Sequence, residues 1–479
     1  MPRVLLVPAL VLLAACAGGP QASILFDTAE PEVAGDTVDG SLLPADLRTA
    51  DDATLEKDEA DTAPPCATDA DCDDGDACTK DSCDLPLGCR NIPLPGGCDD
   101  GIECTVDSCD PASGCVNAPD PALCDDGIDC TIDECTAGGC LHTVDNVPCD
   151  DGNPCTQEWC DPQAGCTSSQ LDGACNDQDP CTGPDWCDAG TCTGPFVLST
   201  ACLYTDVPNV GACKAGAVTM SARNAAMARV NEIRTLVGIP PVVYDTTHDS
   251  QAQQAALIMA ANAGLNHTPP KEWYCWSQAG YDGASSSNLH LGLNTDGKLA
   301  TPAEVVDAFL VDLDVETLGH RRWILDPFLT RTSYGFVSGQ PKVNLGWPYS
   351  YSGTLRVIDD IAANLSSLAL DFVAYPIGNF PAALVPNGWY LSFAVLMDKS
   401  SPWNNQGVDF SKATVAVTAK GGAAVQVYSV KWANDGMGIP NHLQWKCNGL
   451  QVGVQYQVAV GNVWFKGSPH QYQYGFLLQ

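Results

Sequence analysis

Five cysteine quartets, opening at Cys72, Cys98, Cys124, Cys149 and Cys175, recur with a period of 25 or 26 residues. The second shows the pattern: Cys98-Asp99-Asp100-Gly101, then Cys104-Thr105, Asp107, Cys109-Asp110 and Gly114-Cys115. Self-similarity this regular marks a linear array of small modules. Each module is too short to hold a sufficient apolar core, so crosslinks must close it. Residues 66–213 hold 23 of the 26 cysteines, and an N-terminal apolar run suited to secretion precedes them. Together these features predict a disulfide framework in an oxidising compartment. Histidine is nearly absent from the array, which argues against thiolate-bound zinc there.

Ahead of the array, Arg3 is followed by an apolar run from Val4 to Leu13, too short to span a bilayer as a helix but suited to a signal core. The run ends in Leu13-Ala14-Ala15-Cys16, which resembles a bacterial lipobox. That resemblance implies removal of residues 1–15 and a lipidated Cys16 as the new N-terminus. With Ala17 in place of the Asp that retains such proteins at the inner membrane, it also implies the outer membrane or cell surface. Residues 17–65 carry twelve acidic and two basic side chains and show no hydrophobic period, so they read as a disordered tether. The net charge of −37 divides as +1 from Arg3, −10 in the tether, −27 in residues 66–213 and −1 in residues 214–479. Acidity on this scale repels phosphate and argues against a nucleic-acid partner.

The run C-D-D-G-x-x-C-T-x-D-x-C-D resembles the slime-mould type cysteine-rich repeat of extracellular proteins. Asp69, Asp71, Asp73, Asp74 and Asp76 place hard oxygen ligands close together, as Ca²⁺ requires. The D-x-D-x-D-G order of an EF-hand is not met, because Asp74 stands where the glycine should and Gly75 comes one late. Turn-forming Asp and Gly between cystines explain the same residues. With Cys16 lipidated, 25 cysteines remain, an odd number. Beyond the quartets, Cys202 with Cys213 would close a partial sixth unit and Cys275 with Cys447 would tie two domains together, leaving Cys66 over.

From residue 214 the composition changes. Ser221 as N-cap, with Ala226, Val230, Ile233 and Val237 on one face and Gly238-Ile239-Pro240 as a stop, predicts a first helix. A second runs from Asp249 to Ala263. Thr301-Pro302-Ala303-Glu304 has the form of a capping box opening a third. Short extended segments follow around residues 334–336 and 343–345. This order, with Asn231-x-x-Arg234, a helix ending before His267, a loop Ser285-Ser286-Ser287-Asn288-Leu289 and the run Leu318-Gly319-His320, resembles a CAP domain, the superfamily of cysteine-rich secretory, antigen 5 and pathogenesis-related proteins. The resemblance implies an α/β/α fold over residues 214–370, with His267 and His320 facing a central cleft that binds a divalent metal in some members. Of the family's two cleft glutamates, the first falls on Ser287, beside Asn288. The second falls near Asp312, with Glu316 as the competing position. Two neutral imidazoles and a carboxylate would suit Zn²⁺ with one place open for water. His290, just past Asn288-Leu289, reads as a loop histidine that could replace a missing ligand.

Residues 371–479 alternate as strands do, over Tyr390–Met397, Thr414–Thr418, Val425–Val430, Tyr456–Val460 and Tyr472–Leu478, which predicts an all-β sandwich. Trp389, Trp403, Trp432 and Trp464 belong by default in its core. The whole therefore reads as a multidomain chain: disulfide-rich array, α/β/α CAP-like sandwich, all-β sandwich. The expected function is a surface-anchored lipoprotein, tied to the membrane by its lipid, that binds an unidentified extracellular lipid or peptide without turnover. The alternatives are a metal-dependent extracellular peptidase or lipid esterase, and an adhesion or spacer protein with an inactive cleft.

Overall fold

The computed structural model describes residues 66–85, 87–94, 97–358 and 362–479. Cys16 and the acidic tether lie outside them. No helix among the described residues is long and apolar enough to cross a membrane. The chain divides into two compact units, one holding the array as far as Cys175 with residues 186–192, the other holding residues 176–185 and 193–479.

In the array each of the first four quartets folds as one antiparallel hairpin, such as Thr105–Asp110 with Gly114–Pro119. Cys109 and Cys115 stand directly across that hairpin, yet they are not bonded to one another. The first cysteine of each quartet pairs with the fourth, as in Cys98–Cys115. The third reaches back to the second of the preceding quartet, as in Cys78–Cys109, Cys104–Cys135, Cys130–Cys160 and Cys155–Cys187. Cys66 takes the missing place before the first quartet by bonding Cys83, and Cys202 takes the place after the last by bonding Cys181. The expected pairs Cys202–Cys213 and Cys275–Cys447 do not form. Cys213 bonds Cys275, and among the described residues the unpaired thiol is the buried Cys447, not Cys66. The aspartates close turns: Asp99 and Asp100 accept from the amides of Gly101 and Ile102, and Asp125 and Asp126 do the same one unit on.

In the second unit, helix α1 (Met220–Leu236) is capped by Thr219, whose hydroxyl accepts from the Ala222 amide, and not by Ser221. Helix α2 (Asp249–Asn262) ends where Ala263 turns left-handed. Helix α3 (Gln278–Ser285) and strand β1 (Ser287–Asn294) replace the expected serine loop, so Ser285 ends a helix and Ser287 opens a strand. Helix α4 (Pro302–Val311) has its predicted capping box, with Thr301 and Glu304 each accepting from the other's amide. Helix α5 (Gly319–Ile324) carries the histidine-arginine run. Strands β2 (Tyr334–Gly339) and β3 (Tyr349–Arg356) complete an antiparallel sheet in the order β1-β3-β2, while residues 343–345 are not a strand. Two glycines let helices approach this sheet. A Cβ on Gly335 would stand 2.5 Å from the Ala252 backbone of α2, and one on Gly353 would stand 2.6 Å from a Val305 methyl of α4.

The Asn231-x-x-Arg234 motif ties α1 to the chain beyond it. Asn231 exchanges two hydrogen bonds with the Val242 backbone, and the buried Arg234 guanidinium donates to the carbonyls of Pro240, Ile324, Asp326 and Leu329. Beyond residue 371 lie two sheets. One orders β4 (Phe372–Tyr375), β6 (Tyr390–Val395), β10 (His442–Cys447) and β9 (Val427–Ala433). The other orders β5 (Gly378–Phe380), β12 (Ser468–Leu478), β11 (Gln455–Phe465), β7 (Thr414–Ala419) and β8 (Ala424–Val425). One apolar core runs from Ala222 and Phe309 through Phe393 and Trp445 to Phe476, across the expected 370/371 boundary. Trp403 and Trp432 are exposed, contrary to the core placement expected for them.

Candidate functional site

Asp312 organises the site. It follows α4 in the left-handed conformation, is 2% exposed, and turns its carboxylate onto the start of α5. One oxygen accepts from the His320 amide at 3.0 Å and the other meets His320 Nδ1 at 2.8 Å. Asn288, on β1, donates to the His320 carbonyl at 3.0 Å. The ring of His320 is thus fixed at Nδ1 by a carboxylate and through its backbone by an amide, with Phe309 packed against it at 5.5 Å between centroids. Facing an acceptor oxygen, Nδ1 is the nitrogen placed to donate, so in the neutral ring Nε2 is the one with the lone pair.

His267 arrives from the loop after α2. Its Nδ1 lies 2.9 Å from the Ala284 carbonyl at the end of α3, which makes that nitrogen the donor and again leaves Nε2 free. The two rings lie 6.4 Å apart between centroids. Burial holds the His267 ring below its ordinary pKa against the pull of the Ala284 carbonyl, and His320 adds to the depression. His290 lies on β1, not in a loop. It packs against Phe309 and Tyr351, and burial pushes its pKa down to about 4.

A cleft of about 430 Å³ opens beside His320 and His290. Its walls are mainly apolar and include Leu265, Phe309 and Val315, with Pro381, Ala383 and Leu384 from the chain beyond residue 371. Arg229 and Asp307 meet at its rim at 2.6 Å.

Of the residues singled out in the sequence, the structure gathers His267, His320, Asp312 and Asn288. Glu316 is corrected out of the cleft: it is exposed and pairs with Lys431 at 2.5 Å, drawn outward by the charge of β9. Ser287 is buried with its hydroxyl unpartnered and, by strand alternation, faces away from Asn288 and His290. Ser285 and Ser286 donate their hydroxyls to the Asp282 carbonyl. The sequence reading missed the wall at 381–384 and the role of Arg321. That side chain is fully buried, donates to the carbonyls of Leu310, Val311 and Tyr390 at 2.7 Å each, and lies 4.0 Å over the Tyr375 ring.

Comparison with known families agrees with this arrangement. Residues 227–349 match the cysteine-rich secretory protein family, and residues 71–94, 97–119, 123–144 and 148–171 match the Dictyostelium (slime mold) repeat. The chain carries a CAP domain behind slime-mold type cysteine-rich repeats. No curated protein matches it.

Proposed function

We propose that this is an extracellular, lipid-anchored ligand-binding protein whose CAP domain takes an apolar lipid or peptide side chain into the cleft beside His320, without turning it over. The observation that carries this reading is the combination of a largely apolar cavity of about 430 Å³ with polar groups mostly committed already. Of the carboxylates lining the cleft, Asp312 is spent on His320, Asp307 on Arg229 and Glu304 on the Thr301 amide, which leaves Asp314 uncommitted, while Ser285 and Ser286 spend their hydroxyls on backbone. The cavity size is ordinary for a small-molecule site.

His267 and His320 also suit a divalent metal such as Zn²⁺. Each fixes its Nδ1 on an oxygen, the outer support that metal-bound imidazoles generally have, and each keeps Nε2 free. A metal there would act as a Lewis acid toward a ligand's oxygen. The four-residue sequence at Cys16 supports the anchor, and the array behind it supports an extracellular setting. Extraction of the purified full chain into organic solvent, followed by mass spectrometry, tests the binding reading. A stoichiometric apolar compound is expected, and none after purification from its native host would count against it. Cys16→Ala should release the chain from the membrane fraction; retention with normal processing would remove the anchor.

A further inference from the structure

The six bridges that run between places in the array overlap in sequence like roof tiles: Cys66–Cys83, Cys78–Cys109, Cys104–Cys135, Cys130–Cys160, Cys155–Cys187 and Cys181–Cys202. Each begins before its predecessor ends, so every peptide bond from Cys66 to Cys202 is spanned by at least one of them. The stretches joining one quartet to the next are crossed by one bridge each. Cys78–Cys109, for instance, crosses the stretch from 90 to 97 alone. From Leu203 to Ala212 no bridge crosses, because Cys181–Cys202 has ended and Cys213–Cys275 has not begun.

We infer that the array is a tether held by its cystines independently of its backbone, and that it lets go only when a cut and a reduction coincide. Proteases cutting once in every joining stretch would leave the CAP domain covalently attached to Cys66. The bridges also differ in exposure. Both halves of Cys130–Cys160, Cys155–Cys187 and Cys181–Cys202 are buried, and Cys66 and Cys104 bury one half of theirs, whereas neither half of Cys78–Cys109 is buried. Thiolate attack needs access to sulfur, and exposed cystines are the labile ones. The release point is therefore the junction of the first and second quartets. There, two thiols of an attacking dithiol become one disulfide while Cys78 and Cys109 each become a thiol. A protease supplies the cut by adding water across the peptide bond. The device does not depend on what the cleft binds.

The test inserts a site-specific protease sequence after Leu94 in the full oxidised chain and, in a second chain, after Pro208. After cleavage, a denaturing gel without reductant should show the first as one species and the second as two fragments. Reductant should split the first. In graded reductant with alkylation and mass mapping, Cys78 and Cys109 should be the first inter-quartet cysteines labelled, at the concentration where the Leu94-cut chain comes apart. Cys78→Ser/Cys109→Ser should come apart after cleavage without reductant; should that variant misfold, the reductant series on the unsubstituted cysteines decides. Separation of the Leu94-cut chain without reductant, or labelling of Cys130 and Cys160 before Cys78 and Cys109, would overturn the inference.

Discussion

Replacing Arg321 by Met should destabilise the C-terminal unit and loosen the cleft together, because this side chain joins the two halves of its wall. The guanidinium donates three hydrogen bonds of 2.7 Å, two to the end of α4 and one to Tyr390 on β6. Charged hydrogen bonds contribute about 1.5–3 kcal/mol each, but removing the charge also relieves the cost of burying it. The net loss should be about 3–5 kcal/mol, from three buried carbonyls left without a donor at about 1–3 kcal/mol each, less the relieved cost of the charge. For a unit of this size each kcal/mol shifts the melting point by roughly 2 °C, so a fall of roughly 6–10 °C is expected. Arg321→Lys should fall nearly as far, since one ammonium on a shorter reach cannot serve three carbonyls in a planar fork. Thermal melts of the oxidised full chain, followed by near-ultraviolet circular dichroism, provide the assay. Lys431→Ala is the control, because its pair with Glu316 is solvent-exposed and should leave the melting point within experimental scatter. A drop of less than about 2 °C for Arg321→Met would show that the wall is held by apolar packing alone.

Three further outcomes follow from the site. The full chain should bind one Zn²⁺ by titration calorimetry and His267→Ala/His320→Ala none, with similar melting points; equal stoichiometry would remove the metal site. Asp312→Asn should weaken that binding roughly 10–100-fold, the usual effect of losing the partner of a metal-bound imidazole, and unchanged affinity would make Asp312 only a helix cap. Stability should fall as pH drops from about 6.5 toward 4. His290, held at about 4, and His267 and His442, held low by burial, are kept neutral by the fold, so the unfolded chain binds more protons in that window. Asp326, raised to about 6 by burial, and Asp249 and Asp307, also raised by burial, work in the opposite direction and offset part of this loss. A melting point that stays level or rises between pH 6.5 and 4 would refute this balance.

Local signals carried much of the fold into the sequence. Asn231 and Arg234 could be placed on α1 from spacing, and Thr301-Pro302-Ala303-Glu304 announced α4 because a capping box is satisfied within one turn. His267 and His320 were legible through the resemblance to the CAP family, not from a local pattern of their own. Pairings set by the assembled chain were not. The cysteines across each hairpin face one another in register without bonding, and sequence proximity left Cys66 over and gave Cys202 the wrong partner. Strand β10 was missed because its alternate residues, His442 and Gln444, are polar yet buried, the one bonded to the other and Gln444 also to the Glu316 carbonyl. Glu316 and Asp312 looked equivalent four residues apart. Only Lys431, 115 residues on, and the turn that aims Asp312 at His320 tell them apart.

The central claim is that the cleft beside His320 holds an apolar ligand, and filling it tests that claim most directly. Ala308 and Ala383 both line the cavity, so Ala308→Trp/Ala383→Trp should occlude it without disturbing the core. The neutral apolar dye Nile red, titrated into the full chain, should give saturable one-site fluorescence enhancement with the native residues. The double variant should give none at an unchanged melting point. Equal enhancement in both, or no saturable binding to the native chain after any resident ligand has been extracted, would contradict the account.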